Sequence, residues 1–141
     1  MFERIEYFMD IRYKDDNCYT QGQVQELFES VNWLSANYPE RLMKALYNCE
    51  TVFTAWDDEK LVGLVNAIDD GELTAYVHYL CVNPEYQNMG IGQKLLAQIK
   101  DKYKDYLYII IIAENDSLTS YYKNNKFEEA QGTHVMEIIN K

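Results

Sequence analysis

A glycine-containing loop between a predicted strand and a predicted helix is the part of the sequence best suited to hold a ligand. The strand, Leu73–Val82, ends at Asn83-Pro84, because a proline cannot donate to a β-ladder. Gly90 and Gly92 stand at the start of the helix Ile91–Tyr103, and without side chains they let the backbone come close to a ligand. The first N–H groups of a helix lack partners within it, and its dipole adds about half a positive charge there. The loop therefore predicts a diphosphate site that needs no catalytic side chain.

The glycine spacing alone does not identify the class of nucleotide. The loop lacks the G-K-[ST] ending of a phosphate-binding P-loop. It also lacks the third glycine of the Rossmann fingerprint, and it does not follow the first strand of the chain. An unrelated nucleotide-binding α/β protein stays an alternative, and it predicts stabilisation by ATP or NAD rather than by CoA.

The charge of the chain narrows the classes of partner. Its 141 residues include 13 Lys and Arg against 23 Asp and Glu, which gives a formal net charge of −10. Nucleic acids and anionic membranes bind basic surfaces, so we expect neither as a partner. An acidic surface favours cationic partners such as small amines, or it serves only to keep the protein soluble. No apolar run approaches the roughly 18 residues of a membrane span, and no secretory signal is visible.

The cysteines predict no metal site and no disulfide framework. They lack C-x-x-C spacing and are odd in number, which indicates reduced thiols and a cytoplasmic protein. These three residues are Cys18, Cys49 and Cys81.

The remaining patterns predict one domain over residues 1–141, with an α/β (α+β) architecture and helices on both faces of a mixed sheet. A capping box at Thr20 and Gln23 begins the first helix, and Pro39 begins the second. An uninterrupted apolar strand, Leu107–Ala113, is expected to be buried on both faces, and Asp116 is expected to cap a helix over Ser117–Asn124. The other predicted strands are Ile5–Tyr13, Thr51–Trp56, Leu61–Ile68 and a closing hairpin of Phe127–Gln131 and His134–Ile139.

Three segments together resemble one family. The loop Gln87–Gly92 is similar to the Q/R-x-x-G-x-G/A loop of the GNAT superfamily of acetyl-CoA-dependent N-acetyltransferases. Leu80–Gln87 resembles the strand that leads into that loop, and Tyr121–Phe127 resembles the family's F-Y-x-x-x-G-F helix end. The resemblance implies the GNAT fold, with a mostly antiparallel sheet of six to seven strands. Two positions depart from the pattern: Asn88-Met89 replaces the usual Gly and basic residue, and Lys126 replaces a glycine.

The resemblance also implies the coenzyme site and a direct attack of a primary amine on acetyl-CoA in a ternary complex, without a metal. It makes Tyr122 the general acid that protonates the leaving thiolate, and it implies a bulge that frees the backbone of the fourth strand for the pantetheine arm. The residues expected to bind the coenzyme are Leu80, Cys81, Val82, Gln87, Asn88, Met89, Gly90, Ile91, Gly92, Gln93, Asn115 and Tyr122.

The sequence pattern assigns residues to the acceptor side less specifically than to the coenzyme site. By resemblance, His78 on the fourth strand faces the amine, where it is either the general base or a structural sheet histidine. Alternation along a strand predicts that its neighbour Tyr79 faces the other way. Trp33 and Tyr38 are expected to form an aromatic wall suited to the apolar part of a small amine or to a cation. Family members are often dimers, so a homodimer is compatible with the sequence. A catalytically silent, CoA-binding sensor domain is the alternative function, although such a domain would not need the Tyr122 phenol.

Overall fold

The computed structural model describes residues 10–140, which form one sheet with helices on both faces. In this part of the chain the sheet has five strands in the order β1-β2-β3-β4-β5; the first four are antiparallel, and β5 is parallel to β4. Single 3-10 turns cover Leu34–Asn37 and Pro84–Tyr86. The strands are β1 Ile11–Lys14, β2 Thr51–Asp57, β3 Lys60–Asp69, β4 Thr74–Val82 and β5 Tyr108–Ile111; the helices are α1 Gln21–Ser30, α2 Pro39–Tyr47, α3 Ile91–Lys102 and α4 Asp116–Asn124.

Two apolar clusters hold the helices against the two faces of the sheet. On one face, Leu27 and Phe28 of α1 and Leu46 of α2 pack with residues of β2 and β3. On the other face, α3 packs against β2, β3 and β4 through Ile91, Leu95 and Ile99. The approach of α3 is close, because a Cβ at Gly63 of β3 would lie 2.9 Å from Ile91 Cγ2. The predicted mixed sheet with helices on both faces is therefore confirmed.

Local capping signals mostly give the observed helix ends. The Thr20 hydroxyl accepts from the Gln23 N–H (3.1 Å), and the Gln23 side chain accepts from the Thr20 N–H (2.9 Å), as predicted. At α4 the expected cap is wrong. Asn115 is the N-cap, with its side-chain oxygen accepting from the Leu118 N–H (2.9 Å), and Asp116 is the first helical residue.

The prediction of six to seven strands is wrong for the described residues, which contain five. The expected strands Phe127–Gln131 and His134–Ile139 have no regular secondary structure, and the tail from residue 128 to 140 is exposed. Its strand-forming composition therefore does not by itself produce a strand, because none of the described strands pairs with it. The expected strand Ile5–Tyr13 begins outside the described residues; within them, β1 covers Ile11–Lys14.

The apolar sequence of β5 predicted burial on both faces, but only one face of the strand is covered. It is an edge strand in the described sheet, paired only with β4. Tyr108 and Ile110 are 59% and 47% exposed, whereas Ile109 and Ile111 pack against the α3-side cluster. Uniform apolar composition therefore does not report which face of this strand is covered.

A one-residue bulge divides β4 into two parts. Val77 pairs with Ala67 of β3, but the next pair is Tyr79 with Asn66, which leaves His78 as the extra residue. The buried Asn66 side chain accepts a hydrogen bond from the Tyr79 N–H (2.9 Å) at this point. Side-chain parity changes across the bulge: Ala75 and Val77 pack in the α3-side cluster, whereas Tyr79 and Cys81 pack in the α1-side cluster.

Beyond the bulge, β4 separates from β5. The parallel pairing of the two strands extends from Thr74↔Tyr108 to Val77↔Ile111 and then stops, while β4 continues to Val82. Residues Leu80–Val82 pair with β3 on one side only. Their other edge therefore has unpaired backbone groups, which is the property that the resemblance predicted for this segment, although the bulge lies two residues earlier than Leu80.

Candidate functional site

A cavity of about 580 Å³ lies between the free edge of β4, the start of α3 and helix α4. The loop that the sequence singled out forms its floor, and the two tyrosines of α4 stand at its wall. None of the described residues that line it is charged. The lining consists of Leu80, Val82, Tyr86, Gln87, Asn88, Gly90, Ile91, Gly92, Gln93, Ser117, Leu118, Tyr121 and Tyr122.

The start of α3 presents unpaired N–H groups to this cavity. Gly90 is the N-cap with a left-handed backbone (φ 81°), and no side chain caps the helix. The first helical bond runs from the Lys94 N–H to the Gly90 carbonyl (3.0 Å), so the preceding amides of Ile91, Gly92 and Gln93 have no partner within the helix. A glycine suits Gly90 because other residues adopt this conformation at a cost. A helix start of this kind favours an anionic group.

Gly92 gives room to a tyrosine that the sequence analysis did not assign to the site. A Cβ at Gly92 would lie 2.5 Å from the hydroxyl oxygen of Tyr121 and 3.7 Å from Val82 Cγ2. The Tyr121 hydroxyl thus rests directly on the first turn of α3. Burial raises the pKa of Tyr121, so the hydroxyl carries its proton at neutral pH.

Tyr122, the expected general acid, is held in place by aromatic packing. It is 7% exposed, with ring centroids 5.7 Å from Tyr121 and 6.0 Å from Phe127. Burial, with smaller contributions from Tyr121 and Glu114, raises the pKa of Tyr122 to about 12. The phenol is therefore protonated at neutral pH and can donate a hydrogen bond into the cavity that it lines.

Other residues expected at the coenzyme site divide into three groups. Leu80 and Val82 line the cavity, but the Cys81 side chain packs on the opposite face, where burial raises its pKa to about 12. Cys81 can therefore reach a ligand only through its backbone, and its thiol is unsuited to nucleophilic attack. Met89 is 44% exposed and Asn115 caps α4; neither is part of the cavity lining.

His78 lies on the bulge, outside the cavity lining, between two tyrosine rings. Its ring stacks on Tyr79 (centroids 4.0 Å apart, 21° between planes) and lies 5.6 Å from that of Tyr76. The expectation that Tyr79 faces away from His78 is wrong, because the bulge brings these neighbours together. His78 as a residue is exposed, but partial burial of its ring beside the two tyrosines lowers the pKa of His78. It is accordingly neutral at pH 7 and able to accept a proton.

The two aromatic residues expected at the acceptor side behave differently. The Trp33 ring packs 5.4 Å from that of Tyr79 and 5.5 Å from that of Phe28, so it continues the row of rings that includes His78. Tyr38 is 49% exposed, and its ring carries the Arg41 guanidinium 5.6 Å from its centroid. The structure does not place Tyr38 in contact with this row.

Several residues near these sites were not found from the sequence. Tyr79 contacts His78 because of the bulge, whose one visible signal is a buried asparagine, Asn66, in an otherwise apolar strand. Tyr76 lies two residues before His78, so strand alternation already puts it on the same side. Further residues that line the cavity come from the 3-10 turn before α3 and from α4, which is distant in the sequence from β4. These residues are Tyr86, Ser117, Leu118 and Tyr121.

The described residues, 10–140, contain neither a candidate metal cluster nor a membrane-spanning helix. No cluster of three or more His, Cys, Asp or Glu side chains within this range could hold a metal ion. No helix in it is long and apolar enough to cross a membrane.

Known proteins with the same architecture include enzymes that transfer acetyl groups. The fold matches a GNAT-family acetyltransferase from Streptococcus pneumoniae (TM-score 0.81, 26% identity, 93% of this chain and 98% of that one). It also matches an aminoglycoside acetyltransferase from an uncultured soil metagenomic sample, solved with trehalose (TM-score 0.68, 26% identity, 96% and 99% covered). An uncharacterized N-acetyltransferase of Pyropia yezoensis is 24% identical over 136 residues, which are 92% of this chain and 77% of that protein.

The family model extends this similarity across most of the chain. The model of the Acetyltransferase (GNAT) family matches residues 12–127, from the first strand of the sheet to the turn after α4. This range includes the loop before α3, the splayed end of β4 and both tyrosines of α4. The chain therefore belongs to the Acetyltransferase (GNAT) family.

Proposed function

We propose that this protein transfers the acetyl group of acetyl-CoA to a primary amine of a small molecule, by direct attack in a ternary complex. One observation carries the proposal: the unpaired amides of α3, the free edge of Leu80–Val82 and the protonated Tyr122 phenol all border one cavity. These are a site for a diphosphate, a site for an amide-containing arm and a donor for a leaving group. The family gives acetyl-CoA as the donor substrate.

The coenzyme would bind mainly to the backbone. The amides of Ile91, Gly92 and Gln93 would donate to the diphosphate. The free edge of β4 would pair with the amides of the pantetheine arm as an added strand would. Asn115, whose side-chain oxygen accepts from the Leu118 N–H, would assist through its side-chain nitrogen. Asn88 and Met89 supply no cation, so neutral donors must carry the affinity.

The reaction can be followed atom by atom. A neutral amine attacks the thioester carbonyl carbon, the C–S bond of the resulting tetrahedral species breaks, and the sulfur leaves with the electron pair. The amine loses one proton and the sulfur gains one, so no covalent enzyme intermediate is needed. The backbone of Leu80–Val82 would bind the carbonyl oxygen through its free N–H groups.

Tyr122 would act on the leaving sulfur mainly as a hydrogen-bond donor. Its pKa of about 12 exceeds that of an ordinary thiol, roughly 8.5, by about 3.5 units. Complete transfer of the proton to a free thiolate would therefore be uphill by about 5 kcal/mol. A hydrogen bond to the developing negative charge stabilises the transition state without that transfer, and a solvent proton can complete the step.

His78 would be the base that receives the amine proton, directly or through water. Its lowered pKa keeps it neutral at pH 7, and the residue is exposed on the bulge. The aromatic row of Trp33, Tyr79, His78 and Tyr76 would then form the wall against which the acceptor binds. An acidic surface would favour the approach of a cationic amine. A homodimer is compatible with this arrangement.

Tyr122→Phe tests the proposal. Loss of one hydrogen bond to a developing charge, about 1.5–3 kcal/mol, should lower kcat roughly 10- to 150-fold. The affinity for acetyl-CoA should stay within about twofold, since the bound thioester gains little from this donor. Tyr108→Phe on the exposed face of β5 is the matched control and should leave kcat unchanged. An unaltered kcat for Tyr122→Phe would refute the assignment of the phenol.

The wild-type protein itself distinguishes the alternative functions. Thiol release from acetyl-CoA would be followed across a panel of primary amines, alongside calorimetric binding of CoA. Binding of CoA without turnover of any amine would favour the catalytically silent sensor domain. No binding of CoA or acetyl-CoA, together with stabilisation by ATP or NAD, would reject the acetyltransferase function.

A further inference from the structure

The cavity lacks the cations that usually accompany bound phosphates. None of its described lining residues is Lys, Arg or Asp/Glu, and the whole chain has a net charge of −10. A diphosphate in this cavity would therefore bind despite long-range electrostatic repulsion from the negatively charged protein. The donors available to it are backbone N–H groups, side-chain amides and hydroxyls.

The Tyr121 hydroxyl is a side-chain donor that lies beside the unpaired amides. Its hydroxyl oxygen would lie 2.5 Å from a Cβ on Gly92, the second residue of α3, so it stands beside the N–H groups that precede the first helical bond. Among the described residues, that hydroxyl makes no hydrogen bond. Burial raises its pKa, so the O–H is retained at neutral pH, and the ring is fixed by Tyr122 at 5.7 Å.

We propose that the Tyr121 hydroxyl donates a hydrogen bond to the coenzyme diphosphate at the start of α3, in a site built from neutral donors. This inference rests on the proposed function and assigns the two adjacent tyrosines to different parts of the coenzyme. Tyr121 donates a hydrogen bond to the diphosphate, and Tyr122 donates one to the leaving sulfur. It also gives Gly92 a second role, because any side chain there would displace the Tyr121 hydroxyl from the helix start.

The first test uses two acetyl donors, of which only acetyl-CoA has the diphosphate and the 3′-phosphoadenosine attached to it. The other donor, S-acetylpantetheine, ends before both. Tyr121→Phe should raise the Kd for CoA about tenfold and lower kcat/KM for acetyl-CoA by a similar factor, with kcat at saturation unchanged. The kcat/KM for S-acetylpantetheine should stay within twofold of the wild type. Equal losses with both donors, or no loss with either, would overturn the inference.

The second test examines the contact between Tyr121 and Gly92. Gly92→Ala should weaken CoA binding in the wild-type background because its Cβ pushes the hydroxyl away. In a Tyr121→Phe background the same substitution should cost several-fold less, since the displaced oxygen is already absent. Independent, multiplicative effects of the two substitutions would contradict the proposed arrangement. Tyr108→Phe is again the control and should leave the Kd for CoA unchanged in both backgrounds.

Salt gives a third readout and separates this inference from the proposed function. A neutral diphosphate site releases no counterions, so the Kd for dephospho-CoA, which lacks the 3′-phosphate, should change less than threefold between 50 and 500 mM NaCl. A tenfold or larger loss of affinity would indicate cations at the diphosphate and overturn the inference. If wild-type protein binds no CoA at all, the proposed function fails as well; normal CoA binding that Tyr121→Phe leaves intact removes this inference alone.

Discussion

Asn66→Leu is expected to damage both the stability of the sheet and the position of His78. Asn66 is 1% exposed on β3, and its side-chain oxygen accepts the Tyr79 N–H (2.9 Å) where the β4 bulge interrupts the ladder. A leucine of similar size would leave that N–H buried without a partner, which costs about 1–3 kcal/mol. For a domain of this length, each kcal/mol corresponds to roughly 3 °C in Tm. We therefore expect Tm to fall by about 3–9 °C.

Urea denaturation and a pH–rate profile would measure the two effects. Thr20→Ala, which removes the cap of α1 and about 1 kcal/mol of stability, is the control because Thr20 makes no contact with β4. Both variants should be less stable than the wild type, but only Asn66→Leu should alter kcat/KM on the acidic side of the profile. A stability of Asn66→Leu equal to the wild type would refute the reasoning about the bulge. An unaltered profile would show that the bulge does not position the base.

Two other residues allow tests of the proposed base, His78, and of the packing of α3 on the sheet. Surrounding rings lower the pKa of His78, so the folded protein resists protonation of this residue. The free energy of unfolding should therefore rise with pH up to about 6.5. In urea titrations, His78→Gln should reduce this dependence of stability on pH. For catalysis, kcat/KM should rise with pH through a midpoint below 6.5, and His78→Ala should flatten this limb; an unchanged limb would leave His78 a structural role. Gly63→Ala should cost about 1–3 kcal/mol, because its Cβ would meet Ile91 Cγ2 at 2.9 Å and push α3 from the sheet; an undiminished urea midpoint would contradict this close packing.

Local chemistry explains the elements that the sequence predicts well. The capping box at Thr20 and Gln23 and the proline at position 39 act within one turn of a helix, so their effect does not depend on the rest of the fold. The strands β2, β3 and β4 are similarly close to prediction, because tight turns join them in an antiparallel meander. The loop before α3 combines a strand end, a left-handed Gly90 and a helix start, all of which are visible as residue types.

Features that depend on distant contacts could not be predicted in this way. The segment Leu107–Ala113 is apolar throughout, yet β5 is an edge strand, because its covering depends on what else reaches that edge. The segment His134–Ile139 is rich in strand-forming residues, but none of the described strands pairs with it. Tyr121 lines the cavity only because α4 lies against the start of α3. Propensity describes each segment, whereas these outcomes are decided between segments.

The bulge at His78 links the acceptor side of β4 to its coenzyme side. Before the bulge, the odd-numbered residues Ala75 and Val77 face α3; after it, the even-numbered Leu80 and Val82 do so, while Cys81 packs toward α1. A regular strand would reverse the last three side chains, because each residue of offset turns a strand over. Cys81 would then enter the cavity and Leu80 the opposite core. The extra residue that presents an imidazole at one point therefore also decides which side chains border the cavity two to four residues later.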